Sequence, residues 1–249
     1  MLKLNFAILG TSFILASAAF GSEPARVPVL LELFTSEGCS SCPPADLLLE
    51  KLDRDQPIAG ADLIILSEHV DYWNRLGWAD PYSSSTFSRR QQAYAEQFHA
   101  DDIYTPQLVV DGVRAAVGGN WPMVKRVIEE SLHRPRIPIT VKIARTPNGT
   151  AAHVEAPPLV ENGEKAVVYM ALAANRAKSH VTSGENSGHE LTHVAVVSSL
   201  RQVAKISEKE GVSRDVPLTL HSEDVRVVVF IQDARTQHIL GVARANFSE

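Results

Sequence analysis

The two cysteines of this 249-residue chain lie two residues apart, as Cys39-Ser-Ser-Cys42. They follow the apolar run 29–34, which predicts a buried strand, and precede Pro43 and Pro44, which a helix tolerates in its first turn. A disulfide across so short a loop stabilises a fold little, by roughly 2 kcal/mol. At a helix start, unsatisfied N–H groups favour the thiolate that disulfide exchange needs. The pattern therefore predicts a redox site at the end of a strand.

Residues 1–21 have the pattern of a secretory signal peptide. Lys3 is the only charged side chain there, an apolar run extends from Leu4 to Leu15, and small residues follow. The run is shorter than the ~20 apolar residues that a membrane-spanning helix needs. We therefore expect a mature chain that is periplasmic or secreted, in an oxidising compartment, with no membrane span after signal cleavage.

The composition excludes two classes of partner. The formal net charge is -5 and the pI is near 6.0, which argues against nucleic acid or an acidic membrane surface as the natural partner. Apolar residues make up 45% and charged residues 21% of the chain, as in ordinary globular proteins. The chain is long enough for two domains of ordinary size.

Hydrophobic periodicity in the first half predicts an α/β domain over residues 22–135. The predicted order is strand, Cys-x-x-Cys, helix, strand, helix, hairpin and helix. The helices are expected over residues 45–52, from the serines at 83–85 to residue 99, and over 121–133; the strands over 29–34, 63–67, 107–110 and 113–117. Asp111-Gly112, between the last two strands, is a strong hairpin signal.

The second half, residues 136–249, has a different pattern. Strand-like runs occur at residues 139–143, 151–156, 167–173, 191–197, 216–220, 225–231 and 239–245. Short strands with turn signals and no convincing helix predict an all-β antiparallel sandwich domain. We therefore expect an α/β domain followed by a separate β-sandwich, with the boundary near residues 135–138.

The order of elements in the first half, with its Cys-x-x-Cys, resembles the thioredoxin superfamily. Thr105-Pro106 stands immediately before the hairpin, where that superfamily has a cis-proline facing the two sulfurs. Glu32, inside the first strand, is similar to the buried acid that many members use as a proton relay. The whole chain, with its signal peptide and β-rich second half, is similar to a secreted bacterial family of thioredoxin-like proteins of unknown function.

The resemblance implies a role for each matching residue. Cys39 would be the nucleophile, Cys42 the resolving thiol, Thr105 and Pro106 the walls of a substrate groove, and Glu32 the proton relay. Because Cys42 enters the first helical turn, we expect it to be buried and Cys39 to lie nearer solvent. Protein thiols and disulfides are then the expected partners, and no cofactor is expected.

Four features depart from the usual thioredoxin pattern. Gly38 stands where a tryptophan commonly precedes the first cysteine, and the spacing from Glu32 to Cys39 is one residue longer than usual. Glu37 adds a negative charge beside the site, which opposes thiolate formation. Ser40-Ser41 matches no dipeptide of known redox preference, so oxidant, reductant and isomerase all remain open.

Two metals compete with the redox interpretation. Cys-x2-Cys with His189-x3-His193 resembles a zinc site, but residues i and i+4 of a strand lie ~13 Å apart and cannot share one ion. Copper chaperones with this fold bind through two cysteines and a distant histidine, and His69 follows the second strand toward the same end of the sheet. The alternative function is therefore a copper-binding or protein-interaction module without turnover. No metal ligand is assigned.

Two loops carry further candidate binding residues. His69, Tyr72 and Trp73 belong to an aromatic-rich loop that either packs its own rings or forms a substrate platform. Asn186 lies in a glycine-flanked loop before His193, which shares a strand face with apolar residues. His193 is then either a core histidine with its hydrogen bonds satisfied, or part of a loop that docks on the redox site and shapes access to it.

Overall fold

The structure, a computed structural model, describes residues 25–147, 149–160, 165–220 and 222–247. The expected signal peptide lies outside these ranges, as does Asn148 of the predicted turn after the first strand of the second half. None of the helices in the described ranges has the length and apolar character needed to cross a membrane. These helices are α1 (Pro43–Asp55), α2 (Ser85–Phe98), α3 (Trp121–Ser131) and a short 3-10 helix at Asn74–Leu76.

The described strands form one large mixed sheet and one small antiparallel sheet. The strands are β1 (Val27–Thr35), β2 (Ala61–His69), β3 (Gln107–Val110), β4 (Arg114–Val117), β5 (Thr140–Thr146), β6 (Gly149–Ala156), β7 (Lys165–His180), β8 (Glu190–Ser207), β9 (Val212–Leu218), β10 (Val225–Asp233) and β11 (Ile239–Asn246). The large sheet has the order β11-β10-β7-β8-β2-β1-β3-β4, and the small sheet has the order β5-β6-β9.

The first half has the predicted order of elements. The parallel strands β1 and β2 end together, with Thr35 opposite His69, and β3 and β4 form the predicted hairpin. Helix α2 begins where the Ser84 hydroxyl accepts a hydrogen bond from the Thr86 backbone N–H, which is an ordinary N-cap. Loops that leave the carboxyl ends of β1 and β2 therefore meet at one edge of the sheet, the usual place for a site in such folds.

The second half differs from the predicted separate sandwich. Strand β8 pairs with β2, with Ser67 opposite Val196, so β7, β8, β10 and β11 continue the sheet of the first half. A sandwich-like layer does exist, because the small sheet packs on the far half of the large one around Val154, Val168 and Val229. Alternation of apolar residues shows that a strand has a buried face, but it does not show which strand lies beside it.

The two faces of β1 belong to different cores. Leu31 and Leu33 pack with α1 and α3, whereas Leu30 packs on the other face with Phe87 of α2. Burying each such side chain is worth about 1.5–3 kcal/mol. Glu32 takes the α2 face by alternation, because it is adjacent to Leu31 and Leu33. The helix that carries the cysteines therefore lies on the opposite face of β1 from Glu32.

Candidate functional site

The cysteine pair lies at the start of α1, as predicted. A disulfide joins Cys39 to Cys42, with 5.4 Å between their Cα atoms. Cys42 is the N-cap residue, and its carbonyl accepts hydrogen bonds from the backbone N–H groups of Ala45 (2.9 Å) and Asp46 (3.1 Å). The helix start therefore fixes Cys42, while Cys39 belongs to the loop that arrives from β1.

Thr105 and Pro106 face the first cysteine. The Thr105–Pro106 peptide bond is cis, as the resemblance implied, and the Thr105 carbonyl lies 3.9 Å from Cys39 Sγ. The Ser41 hydroxyl lies 3.3 Å from the same sulfur and 3.5 Å from the Thr105 carbonyl. The loop before β3 and the cysteine loop are therefore in direct contact through the atoms around Cys39.

The expected difference in exposure between the cysteines is wrong. Both Cys39 and Cys42 are 0% exposed, whereas Ser40 and Ser41 between them are exposed. A contact from outside the first half also lies at this loop, since the Asn186 side chain donates hydrogen bonds to the carbonyls of Glu37 (2.8 Å) and Cys39 (3.0 Å). Sequence reasoning within the first half could not include this contact.

The loop between β7 and β8, which we call the docking loop (residues 181–189), lies on the cysteine loop. Besides the Asn186 contacts, the Glu185 carboxylate accepts a hydrogen bond from the Ser40 backbone N–H at 2.9 Å. Hydrogen bonding to the Ser40 side chain, and then to its backbone N–H, lowers the pKa of Glu185. Ser183 anchors the other side of the loop by donating to the Gly77 carbonyl at 2.6 Å. Of the two interpretations of this segment, the geometry matches the one in which the loop docks on the loop that carries the cysteines.

A buried histidine lies beneath the cysteine loop. His193 of β8 is 2% exposed, its Nε2 lies 3.1 Å from Glu37 Oε1, and its Nδ1 lies 3.7 Å from Asp46 Oδ2. The other Glu37 oxygen accepts a 2.8 Å hydrogen bond from the Trp78 indole. Burial alone would lower the pKa of His193, but the two carboxylates outweigh burial and raise the pKa to about 9. His193 is therefore an imidazolium at neutral pH.

A second histidine–acid pair adjoins the first. His69 Nδ1 lies 2.7 Å from Asp80 Oδ2, and the Glu37 backbone N–H donates to the same oxygen at 2.9 Å. Burial would raise the pKa of Asp80, but the hydrogen bonds from His69 and from the Glu37 and Tyr82 backbone outweigh burial and lower it. The rings of His69 and His193 meet edge to face, with centroids 4.7 Å apart.

We call this group the histidine cluster; its members are Glu37, Asp46, His69, Asp80 and His193. Ala195, close to it on β8, has a φ of +52°, in the left-handed region that residues other than glycine rarely adopt. This local conformation separates the segment of β8 that carries His193 from the segment that pairs with β2. Among the described residues, no three His, Cys, Asp or Glu side chains are arranged to hold a metal ion.

Glu32 belongs to a different buried group, which we call the arginine cluster (Glu32, Glu68, Arg90 and Tyr94). Arg90 Nε donates to Glu32 Oε1 at 2.5 Å, and the Tyr94 hydroxyl donates to Glu32 Oε2 at 2.6 Å. Burial, together with the neighbouring Glu32, raises the pKa of Glu68 well above its ordinary value. The relay position that the resemblance gave to Glu32 is thus corrected, because Glu32 lies on the α2 face of β1, opposite the helix that carries the cysteines.

The aromatic loop packs mainly against its own half of the protein. The Tyr72 hydroxyl donates to Gln91 of α2 at 3.2 Å, and the Trp73 indole donates to the Thr105 hydroxyl at 2.8 Å. A Cβ at Gly38 would lie 3.2 Å from Trp73 Cβ, so the glycine before Cys39 leaves room for this ring. Trp73 is therefore placed beside the cysteine loop, while Tyr72 is held against α2.

Sequence reasoning missed two members of the histidine cluster. Asp46 lies one helical turn after Cys42, and that i, i+4 spacing was a usable signal. Asp80 had no signal beyond its place in a chain break before Pro81. Glu37 was recognised only as an unfavourable charge, because its partners His193 and Trp78 are remote in the sequence.

The fold and the site define an α/β protein with a Cys-x-x-Cys disulfide at a helix start, beside a cis-proline. The chain belongs to the family described as protein of unknown function (DUF1223), whose pattern matches residues 30–232. A comparison with curated proteins found no match.

Two solved structures are similar to this chain. Protein AGR_C_4864 from Agrobacterium tumefaciens is 25% identical, with a TM-score of 0.72 over 90% of this chain and 96% of that one. HBP35 of Porphyromonas gingivalis is 14% identical, with a TM-score of 0.60 over 91% of this chain and 77% of that one. The second likeness concerns the fold alone.

Proposed function

We propose that this protein is a periplasmic or secreted thiol–disulfide exchange protein that uses Cys39 and Cys42. The observation that carries the proposal is the position of the cysteine pair, at the start of α1 and against the Thr105 carbonyl. A helix N-terminus stabilises a thiolate, and the thiolate is the attacking species in exchange. The weak stabilisation expected from a two-residue loop leaves little structural reason for the pair.

The exchange reaction has two steps. The Cys39 thiolate attacks a disulfide of a substrate protein, which breaks that bond and releases one substrate sulfur as a thiol. Cys42 then attacks the sulfur of Cys39 in the mixed disulfide, which releases the second substrate sulfur and restores the Cys39–Cys42 bond. Two electrons pass from the protein dithiol to the substrate disulfide; the reverse sequence oxidises a substrate dithiol.

Access to Cys39 requires movement, because the sulfur is covered in the oxidised protein. The exposed residues of the cysteine loop are Ser40 and Ser41, so we propose that substrates approach over these serines and beside Thr105. The contacts that would open are few: the docking loop touches the cysteine loop through Asn186 and Glu185. Segments held by few contacts open at small free-energy cost.

Trapping of mixed disulfides tests the proposal. Cys42→Ser leaves a nucleophile without a resolving thiol and should accumulate mixed disulfides with other exported proteins, whereas Cys39→Ser should trap almost none. The two variants lose the same disulfide and serve as matched controls for each other. Equal trapping by both would contradict the assigned roles. No trapping by either, with copper bound through both sulfurs of the wild-type protein, would favour the carrier function instead.

A further inference from the structure

A buried carboxylate with a free oxygen lies one helical turn from Cys42. Asp46 follows Cys42 by four residues, and both have helical backbone geometry, so their side chains share one face of α1. Asp46 is 6% exposed and Cys42 is 0% exposed. Within the described residues, Asp46 Oδ1 has no hydrogen-bond partner. A buried acceptor without a donor lowers the stability of the fold. Such an acceptor can serve the reaction if a donor forms beside it in one of the steps.

The other oxygen of Asp46 faces a strand from the second half of the chain. His193 Nδ1 lies 3.7 Å from Asp46 Oδ2, and this nitrogen also lacks a hydrogen-bond partner in the described part of the chain. Glu37 holds the imidazole from the opposite side, with 3.1 Å between Oε1 and Nε2. Asp46 therefore lies beside a cation on β8 and shares a helix face with Cys42.

We propose that Asp46 is the base that accepts the Cys42 thiol proton when the mixed disulfide is resolved, and that His193 is a positioning residue for it. This inference rests on the proposed exchange function. The proton acceptor, Asp46, then belongs to the helix that begins at Cys42. The residue that positions it, His193, belongs to the β-rich half. The donor needed by Asp46 Oδ1 is supplied by the reduced Cys42 thiol, which is absent from the disulfide form.

In the mixed disulfide Cys39 is bonded to the substrate sulfur and Cys42 is a thiol. The Cys42 S–H proton passes to Asp46 Oδ1, the Cys42 sulfur bonds to the Cys39 sulfur, and the Cys39–substrate bond breaks. The substrate leaves as a thiolate, which takes the proton from Asp46 or from water. No oxidant or reductant beyond the substrate is needed.

The other charged and titratable groups of the histidine cluster come from four elements. Glu37 belongs to the loop after β1, His69 to β2, Asp80 to the loop before α2 and His193 to β8. His69 pairs with Asp80, whereas His193 lies between Glu37 and Asp46, so within the described residues His193 is the basic side chain at ion-pair distance from Asp46. Because the His193 imidazolium persists at neutral pH, it holds the Asp46 carboxylate in place without competing for the Cys42 proton.

The resolution step can be measured by itself. Reduced full-length mature protein is mixed with dithionitrobenzoate, an aromatic disulfide that releases a coloured thiolate twice. The first release reports attack by Cys39, and the second, which is intramolecular, reports attack by Cys42. Asp46→Asn should slow the second release roughly 10²-fold at neutral pH, the low end of what a general base contributes, and leave the first nearly unchanged. The deficit should shrink as pH rises, because hydroxide then removes the thiol proton.

The supporting variants separate a chemical role from a structural one. Asp46→Glu should restore most of the rate, and His193→Gln should slow the second release less than Asp46→Asn does, with the same trend in pH. Glu50→Gln is the matched control: Glu50 lies one turn further along α1 and also pairs with the second half, through Arg176 at 2.6 Å. It should resolve at the wild-type rate.

Each outcome decides between the proposals. A wild-type second-release rate in Asp46→Asn at every pH would overturn the role of Asp46. Absence of the first release in wild-type protein would overturn the exchange function itself, and this inference with it. If the Asp46 and His193 variants do not fold, carbon-13 spectra of wild-type protein decide: one aspartate carboxyl should change its resonance on reduction, and Cys42→Ala should abolish that change. No such carboxyl would overturn the inference.

Discussion

The two buried charged clusters lie on opposite faces of the same sheet and neutralise their carboxylates in different ways. In the arginine cluster the cation is Arg90, whose pKa Glu32, Tyr94 and Glu68 raise further despite burial. In the histidine cluster the cation is His193, with a pKa of about 9. An arginine remains charged at every pH that a protein experiences, whereas a histidine can lose its charge. The titratable cation is on the face that carries the cysteines.

The largest effect is expected from removal of Arg90, the cation whose charge does not depend on pH. Arg90→Met should destabilise the protein by about 3–5 kcal/mol, because it leaves Glu32 and Glu68 buried without a cation. Urea unfolding measures this change. Arg89→Met is the control, since Arg89 is exposed and, within the described part of the chain, bonds only hydroxyls of its own helix; its effect should stay within about 0.5 kcal/mol. Similar losses in both variants would remove the distinct role of the arginine cluster.

The second prediction concerns pH. The folded-state pKa of His193 lies above the ordinary value of 6.5, so its stabilisation is complete below about pH 6.5 and is lost as pH rises through about 9. The loss should be about 3 kcal/mol in the free energy of unfolding. His193→Gln should flatten the pH profile of unfolding over that range. His153→Gln, which removes an exposed histidine–aspartate pair, should not. A His193→Gln profile parallel to the wild-type profile would contradict this difference.

A smaller effect is expected where the docking loop meets the cysteine loop. Asn186→Ala removes the donor to the Glu37 and Cys39 carbonyls and should cost about 1–3 kcal/mol. It should also speed reduction of the disulfide by dithiothreitol, followed by mass spectrometry, because Cys39 loses its cover. Ser183→Ala alters the same loop away from the cysteines and should leave the reduction rate unchanged. Equal rates in both variants would show that the docking loop does not control access.

The smallest effect concerns the exposed end of the docking loop. Glu185→Gln removes a charged acceptor from the Ser40 N–H, and the hydrogen bond lowers the pKa of Glu185. A lowered carboxylate pKa contributes stability above the ordinary value of 4.5 that is lost as pH falls. The melting temperature of Glu185→Gln should therefore lie slightly below that of wild type at neutral pH and match it in acid. Glu190→Gln supplies the control, and a difference that persists in acid would contradict the prediction.

The same comparison shows what the sequence could predict. The position of Cys39 and Cys42 followed from local signals, a strand before the pair and prolines after it, whereas that of Pro106 was implied by the resemblance. Helices α1, α2 and α3 were predicted for the same reason, since periodicity and capping act within one segment.

The parts of the fold and the site that the sequence did not predict depend on contacts between distant segments. The pairing of β8 with β2 joins Ser67 to Val196, and no local pattern specifies that neighbour. The partners of Glu37 lie far along the chain, which is why its charge was interpreted as a defect at the site. Glu32 shows the opposite error: its residue type matched the thioredoxin relay, but alternation along β1 places it on the face away from the cysteines.

The docking loop also determines when the site is complete. The residues that contact the cysteine loop from the second half lie far along the chain. Asn186 and His193 are made about 150 residues after Glu37, to which both are hydrogen-bonded. A chain that grows from its N-terminus therefore presents its two cysteines without Asn186 and His193 until the β7–β8 hairpin has followed. Strands β10 and β11 come after this hairpin in the chain, so every residue that contacts the cysteine loop has been made before the last two strands of the large sheet.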